Sequence, residues 1–236
     1  MTENISVNLL IDYIEHLKSQ EKSYNTIKNS IMALKLNFEF TNGYSVKHDF
    51  LRSIQRIKKL PEVLSIHEVK MILDSIGNVK HKAILSIIYS CGLTISECIN
   101  LRISDINSTS MLIKIDQGIG KGMRYVALSQ KLLVLLNLYY RDYKLEDNLF
   151  QGQTKEAYSA RSIQKILKSA LEKCEINKII TVRSLRHSYA THLVEEGIDI
   201  RIIQKILGQK DIRTTQIYSH ISSANLSKIT NPFDNF

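Results

Sequence analysis

The chain has 236 residues, with 32 Lys plus Arg against 23 Asp plus Glu, a formal charge of +9 and a pI near 9.3. That length supports one large core or two smaller ones, and the charge favours a polyanionic partner such as nucleic acid or an anionic membrane surface. No stretch approaches the roughly 20 consecutive apolar residues of a membrane span, and residues 1–6 lack the basic and apolar regions of a signal peptide, so a cytoplasmic location is expected. Cys91, Cys98 and Cys174 form no C-x-x-C pair, which argues against a disulfide frame or a zinc knuckle. They read as small core residues, with Cys91 and Cys98 on one face of a single helix.

In chain order, Val7, Leu10, Ile11, Ile14 and Leu17 follow helical spacing. Ser23 is placed to cap a second helix carrying Ile27, Ile31, Leu34 and Phe38, which Asn42-Gly43 ends. A third short helix is expected over 46–58, with Arg52, Arg56, Lys58 and Lys59 forming a basic cluster before Pro61 interrupts the pattern. The domain boundary falls there. Ser65 followed by Glu68 reads as a capping box for a helix whose apolar face holds Val69, Ile72, Leu73 and Ile76. A buried helix over 80–91 stops at Gly92, and a short one follows over 96–102. The period then changes. Met111, Ile113 and Ile115 alternate with polar neighbours, Gly118, Gly120 and Gly122 punctuate, and an extended pattern resumes over 125–128, which predicts a β-hairpin. Helical patterns return over 130–143, 162–174, 185–196, 199–207 and 213–218. The fold class expected is therefore mainly α with a small antiparallel β-sheet (α+β).

Three boxes carry chemistry. The first is Gly92-Leu93-Thr94-Ile95-Ser96-Glu97 with Leu101 and Asp105. The second is Gly120-Lys121-Gly122. The third runs from Ser184-Leu185-Arg186-His187-Ser188-Tyr189-Ala190-Thr191-His192-Leu193 through Leu207-Gly208 to Thr214-Thr215-Gln216-Ile217-Tyr218. With these boxes the sequence resembles the tyrosine recombinase (phage integrase) family, and within it the Xer-like branch. The resemblance spans about the last three quarters of the chain and is most specific in the third box.

The resemblance implies an enzyme for site-specific DNA recombination or integration. A tyrosine hydroxyl attacks phosphorus to give a 3′-phosphotyrosyl intermediate, and a 5′-hydroxyl of another strand reverses the step, with no cofactor and no metal. Two arginines would hold the non-bridging oxygens and a lysine would protonate the leaving oxygen, because forked guanidinium donors fit phosphate geometry. Tyr218 stands at the nucleophile position, Arg186 at the second arginine and Lys121 at the hairpin lysine, although the segment after Gly122 is two residues shorter than the family pattern. Three positions depart from it. Thr94 replaces the first arginine, Arg183 the family's His or Lys, and Gln209 its His or Trp. Gln209 keeps a hydrogen-bond donor, whereas Arg183 cannot serve as a base. Arg183, three residues before Arg186, could either restore a second guanidinium to the phosphate pocket or contact DNA backbone. His187, His192 and His220 lack metal-ligand spacing and read as packing or polar contacts.

By the same resemblance, residues 1–59 would be an abbreviated helical core-binding (SAM-like) domain and residues 60–236 the catalytic domain, with a C-terminal tail at 231–233 that passes to a neighbouring subunit. Double-stranded DNA is the expected partner, on which the protein would form a homo-oligomer (tetramer) or a mixed recombinase assembly, with no membrane involved. The alternative reading, favoured by Thr94, is a catalytically impaired recombinase-like DNA-binding protein that competes at a recombination site or serves as a silent partner.

Overall fold

The structure is a computed structural model that describes residues 7–43, 60–116, 118, 122–143, 145, 147–152 and 157–221. The helix expected over 46–58 with its basic cluster, the hairpin residue Lys121 and the 231–233 tail lie outside the described residues. The chain divides into two compact units, Met1–Lys59 and Leu60–Phe236.

In the first unit, α1 (Val7–Ser19) and α2 (Tyr24–Asn42) bury Ile14 and Leu17 with Ile27, Ile31 and Phe38. The Ser23 side chain accepts from the Thr26 amide at 3.1 Å, satisfying one of the donors left orphaned at the start of α2. Gly43, at φ +71°, closes the helix in the left-handed conformation, and its N–H donates to the Glu39 carbonyl.

The second unit is mainly helical around a three-stranded antiparallel sheet. The Ser65 capping box forms as the sequence predicts: the Glu68 amide donates to Ser65 Oγ at 3.2 Å and the Ser65 amide to Glu68 Oε2 at 2.7 Å, starting α3 (Ile66–Asp74). Next comes α4 (Val79–Ser90), whose Ala83, Ile84, Leu85, Ile87 and Ile88 have no exposed surface. A helix that is apolar on most sides belongs in the middle of a fold. It packs against α3, α5 (Ile95–Ile99), α6 (Gln130–Tyr143), α7 (Ala160–Lys173) and α8 (Val182–Glu195). The last two helices are α9 (Ile200–Leu207) and α10 (Arg213–Ile221), which pack on α8 and on each other.

Gly92, at φ +60°, stops α4, so Cys91 caps one helix and Cys98 lies on the next. The expectation that one helix face carries both cysteines is corrected by this break, though both are buried in the same core. A Cβ at Gly92 would stand 2.8 Å from Tyr189 Cδ1 and 2.9 Å from Leu207 Cδ2. Gly92 thus lets α4 turn directly beneath α8 and α9. Gly92→Ala should cost about 1–3 kcal/mol by urea unfolding, through crowding and backbone strain together. An unchanged midpoint would show that the two neighbouring side chains give way freely.

The predicted hairpin is β2 (Leu112–Asp116) and β3 (Met123–Ala127), in register Ile113↔Val126 and Ile115↔Arg124. A two-residue strand, β1 (Ile106–Asn107), adds to β2 to give the order β1-β2-β3; it is too short to announce itself by alternation. Ile113, Ile115 and Val126 point into the core, and Arg124 shares their face. The helix expected over 96–102 is shorter than its apolar pattern suggests: it ends at Ile99, and Arg102 beyond it bridges to Asn148. Conversely α8 begins at Val182, before the 185 start that its apolar pattern suggests. Arg183 and Arg186 therefore lie one turn apart on the same helix.

Candidate active site

Arg186 is anchored from three directions. Its Nη1 donates to the Gly92 carbonyl at 2.8 Å, its Nη2 to the Leu207 carbonyl at 2.6 Å, and Glu97 Oε2 lies 3.4 Å from Nη1. Leu207 is the last residue of α9 and Gly92 follows the end of α4, so the guanidinium satisfies carbonyls that have no partner within their own helices and sits at the negative end of α9's dipole. Only 8% of Arg186 is exposed. Burial pulls its proton affinity down, Glu97 opposes that, and the group remains a cation.

A second buried guanidinium stands beside it. Arg124 on β3 bonds through Nη1 to Glu97 Oε1 and donates from Nε to the Ile206 carbonyl at 2.6 Å. Glu97 thus lies between two arginines. Burial alone would raise its carboxyl, but the Arg124 hydrogen bond, the Thr94 amide and the charges of Arg124 and Arg186 outweigh burial and hold it below the usual carboxylate range. Thr94 belongs to the same network by its backbone: its N–H donates to Glu97 Oε2 at 2.8 Å, while its Oγ1 accepts from the Glu97 amide at 3.3 Å. Its side chain is therefore an N-cap for α5 on an exposed edge of the cluster.

Tyr218 on α10 is fully buried, and its Oη lies 3.0 Å from His187 Nδ1. Gln209 accepts from Thr215 Oγ1 at 2.6 Å, so the segment joining α9 to α10 is tied to the helix turn that carries Tyr218. Burial pushes the phenol's pKa up, and Arg186, the Gln209 hydrogen bond and Arg183 push it back. His187 goes the other way. Burial, then Arg183 and Arg186, depress its pKa to about 4, leaving a neutral imidazole at neutral pH. Arg183 itself is exposed on the first turn of α8, near enough for its charge to act on Arg186, His187 and Tyr218.

The sequence matches the phage integrase family over residues 62–225. It is 33% identical over 242 residues to the tyrosine recombinase XerD of Oceanobacillus iheyensis, covering 95% of this chain and 80% of that protein. It is also 33% identical over 222 residues to the tyrosine recombinase XerA of Pyrococcus horikoshii, covering 92% of this chain and 76% of that one. The chain belongs to the phage integrase family. A crystal structure of a XerA recombinase superposes with a TM-score of 0.65 at 27% identity, over 95% of this chain and 81% of that one. The fold is also that of a XerH site-specific recombinase bound to a palindromic difH substrate, with a TM-score of 0.78 at 23% identity over 95% of this chain and 72% of that one. No helix among the described residues is long and apolar enough to cross a membrane.

Of the family positions, the structure gathers Arg183, Arg186 and Gln209 near the Tyr218 phenol and places Thr94 at the edge of the same network. Lys121 lies outside the described residues. Three participants escape motif reading. His187 reads as a packing histidine because nothing in the sequence shows that α10 folds back against it. Glu97 sits in the first box, but a carboxylate's partners are not written in its neighbours. Arg124 did leave a signal: β3 alternation puts it on the inward face with Val126, and an inward charge on a strand demands a buried counter-ion.

Proposed function

We propose that this phage integrase family member cleaves and rejoins DNA through a 3′-phosphotyrosyl intermediate at Tyr218, for site-specific recombination or integration. The observation that carries the reading is one buried phenol 3.0 Å from His187 Nδ1 and set in the charge field of Arg186 and Arg183. Guanidinium groups suit a phosphodiester because negative charge grows on its non-bridging oxygens in the transition state. Arg186 is held so firmly by backbone carbonyls that little reorganisation is left for the moment of attack. Lys121 donates the proton to the departing 5′ oxygen, and a 5′-hydroxyl reverses the step at rejoining.

In this reading residues 1–59 form the helical core-binding domain and residues 60–236 the catalytic domain. The partner is double-stranded DNA in the cytoplasm, and the working form is a homotetramer or a mixed recombinase assembly. The XerH relative was crystallised on its difH substrate after cleavage, which supports the DNA assignment.

Thr94 favours a second reading, a DNA-binding relative with impaired cleavage, because a neutral N-cap stands where the family places a guanidinium. A pool of nicked duplexes with randomised inverted repeats separates the two. Covalent capture at the 3′ phosphate of the cleaved strand, mapped to the Tyr218 peptide, is the expected result; specific binding with no adduct would establish the second reading. On a captured sequence, Thr94→Arg should raise single-turnover cleavage by about 10²-fold, while costing about 1 kcal/mol of helix capping. If Arg183 already supplies the second guanidinium, that gain vanishes and Arg183→Ala abolishes cleavage instead.

A further inference from the structure

We infer that His187, through Nδ1, is the base that takes the phenolic proton of Tyr218, replacing in this chain a base that Arg183 cannot be. The inference rests on the proposed strand cleavage. Its geometric basis is the 3.0 Å separation of His187 Nδ1 and Tyr218 Oη, with ring centroids 5.6 Å apart and planes inclined at 46°. Among the described residues His187 is the side chain hydrogen-bonded to the phenol, and its imidazole can accept the proton, whereas the nearby Gln209 amide has no basic nitrogen. Arg183 and Arg186 are permanent cations.

The two arginines whose charges act on the imidazole also time it. In free protein burial first, and then their charges, hold His187 neutral. Neutral is the state a base requires, but the same charges oppose the imidazolium that proton transfer creates. A phosphodiester bound beside the arginines offsets their part of that opposition. His187 therefore gains basicity when the substrate docks. In the step itself the Oη–H bond breaks, its proton passes to Nδ1, and the oxygen's electron pair forms the bond to phosphorus. The P–O5′ bond breaks, and the leaving oxygen takes its proton from the general acid. Rejoining runs the transfer backwards, returning the proton from His187 to the phenol.

Two measurements test this, and the first needs no DNA. Nitrogen-15 spectra of the full chain, with His187 assigned by loss of its signals in His187→Asn, should show Nδ1 as the unprotonated, hydrogen-bond-accepting nitrogen. A protonated Nδ1 in the neutral ring would make it a donor to the phenol and overturn the inference while leaving strand cleavage intact. The second is single-turnover cleavage of a captured nicked duplex. His187→Asn keeps a polar partner for Oη but removes the base, and should slow cleavage by about 10²-fold or more. Replacing Tyr218 in that variant by a fluorinated tyrosine of lower phenol pKa should recover most of the loss, because an already ionised phenol needs no base. A full rate in His187→Asn, or no recovery with the fluorinated ring, would reduce His187 to a packing contact. No adduct from the parent protein on any duplex would overturn the cleavage reading and this inference with it.

Discussion

Tyr218→Phe should abolish the covalent DNA adduct while leaving non-covalent binding close to that of the parent. The substitution keeps the buried ring and removes one oxygen, leaving the His187 side chain short of a partner, so stability should fall by only about 1–2 kcal/mol. A denaturing gel measures the adduct, and gel retardation the binding. Among the described residues no other nucleophile is prepared to take over. Burial raises the Cys91 thiol to about 11 and pushes Cys98 up further, so neither offers a thiolate at neutral pH. An adduct that survives in Tyr218→Phe would identify a different attacking group and remove Tyr218 from the mechanism.

Glu97→Ala should destabilise the second unit by about 3–5 kcal/mol, a larger effect than the loss of a surface ion pair, because it leaves two buried guanidinium groups without their shared counter-charge. Side-chain exposures of 6% for Arg124 and 12% for Glu97 decide between those cases, since water cannot screen the charges that remain. The Glu97 carboxyl is held below its unfolded value. Its contribution is therefore complete above the ordinary carboxylate range and is lost as pH falls through the lower, folded value. Urea unfolding of parent and variant should differ by the full amount at neutral pH and converge in acid. A difference under about 1 kcal/mol at neutral pH would mean that the two arginines find other acceptors. Cleavage should fall alongside stability, since Glu97 helps to aim Arg186.

Local signals in the sequence were enough for most of the fold. Ser23, Ser65, Asn42-Gly43 and Gly92 each act over a few residues, so their caps and stops can be read directly. The Ile113 and Ile115 alternation likewise announces β2. Long-range pairings could not be read in this way. The sequence cannot show that Arg186 reaches the Gly92 and Leu207 carbonyls or that His187 meets Tyr218, because each depends on how α4, α8, α9 and α10 pack. The single-helix reading of Cys91 and Cys98 failed for a related reason: their spacing of seven is helical, but Gly92 intervenes and redirects the chain. The third box could locate Arg186, Gln209 and Tyr218 as members of a site, though not the carboxylate and second arginine that hold that site together.

The complete enclosure of Tyr218 bears on fidelity. A cell's DNA offers a phosphodiester at every nucleotide, and an exposed activated phenol would nick it indiscriminately. Here Oη has no open surface, so in the proposed reaction a duplex must first uncover it, and the free energy of uncovering is subtracted from the affinity of every sequence alike. A duplex that binds strongly still populates the open arrangement; one that binds weakly does not. On the proposed chemistry, enclosure therefore sets a threshold of affinity below which DNA would be bound and released without being cut.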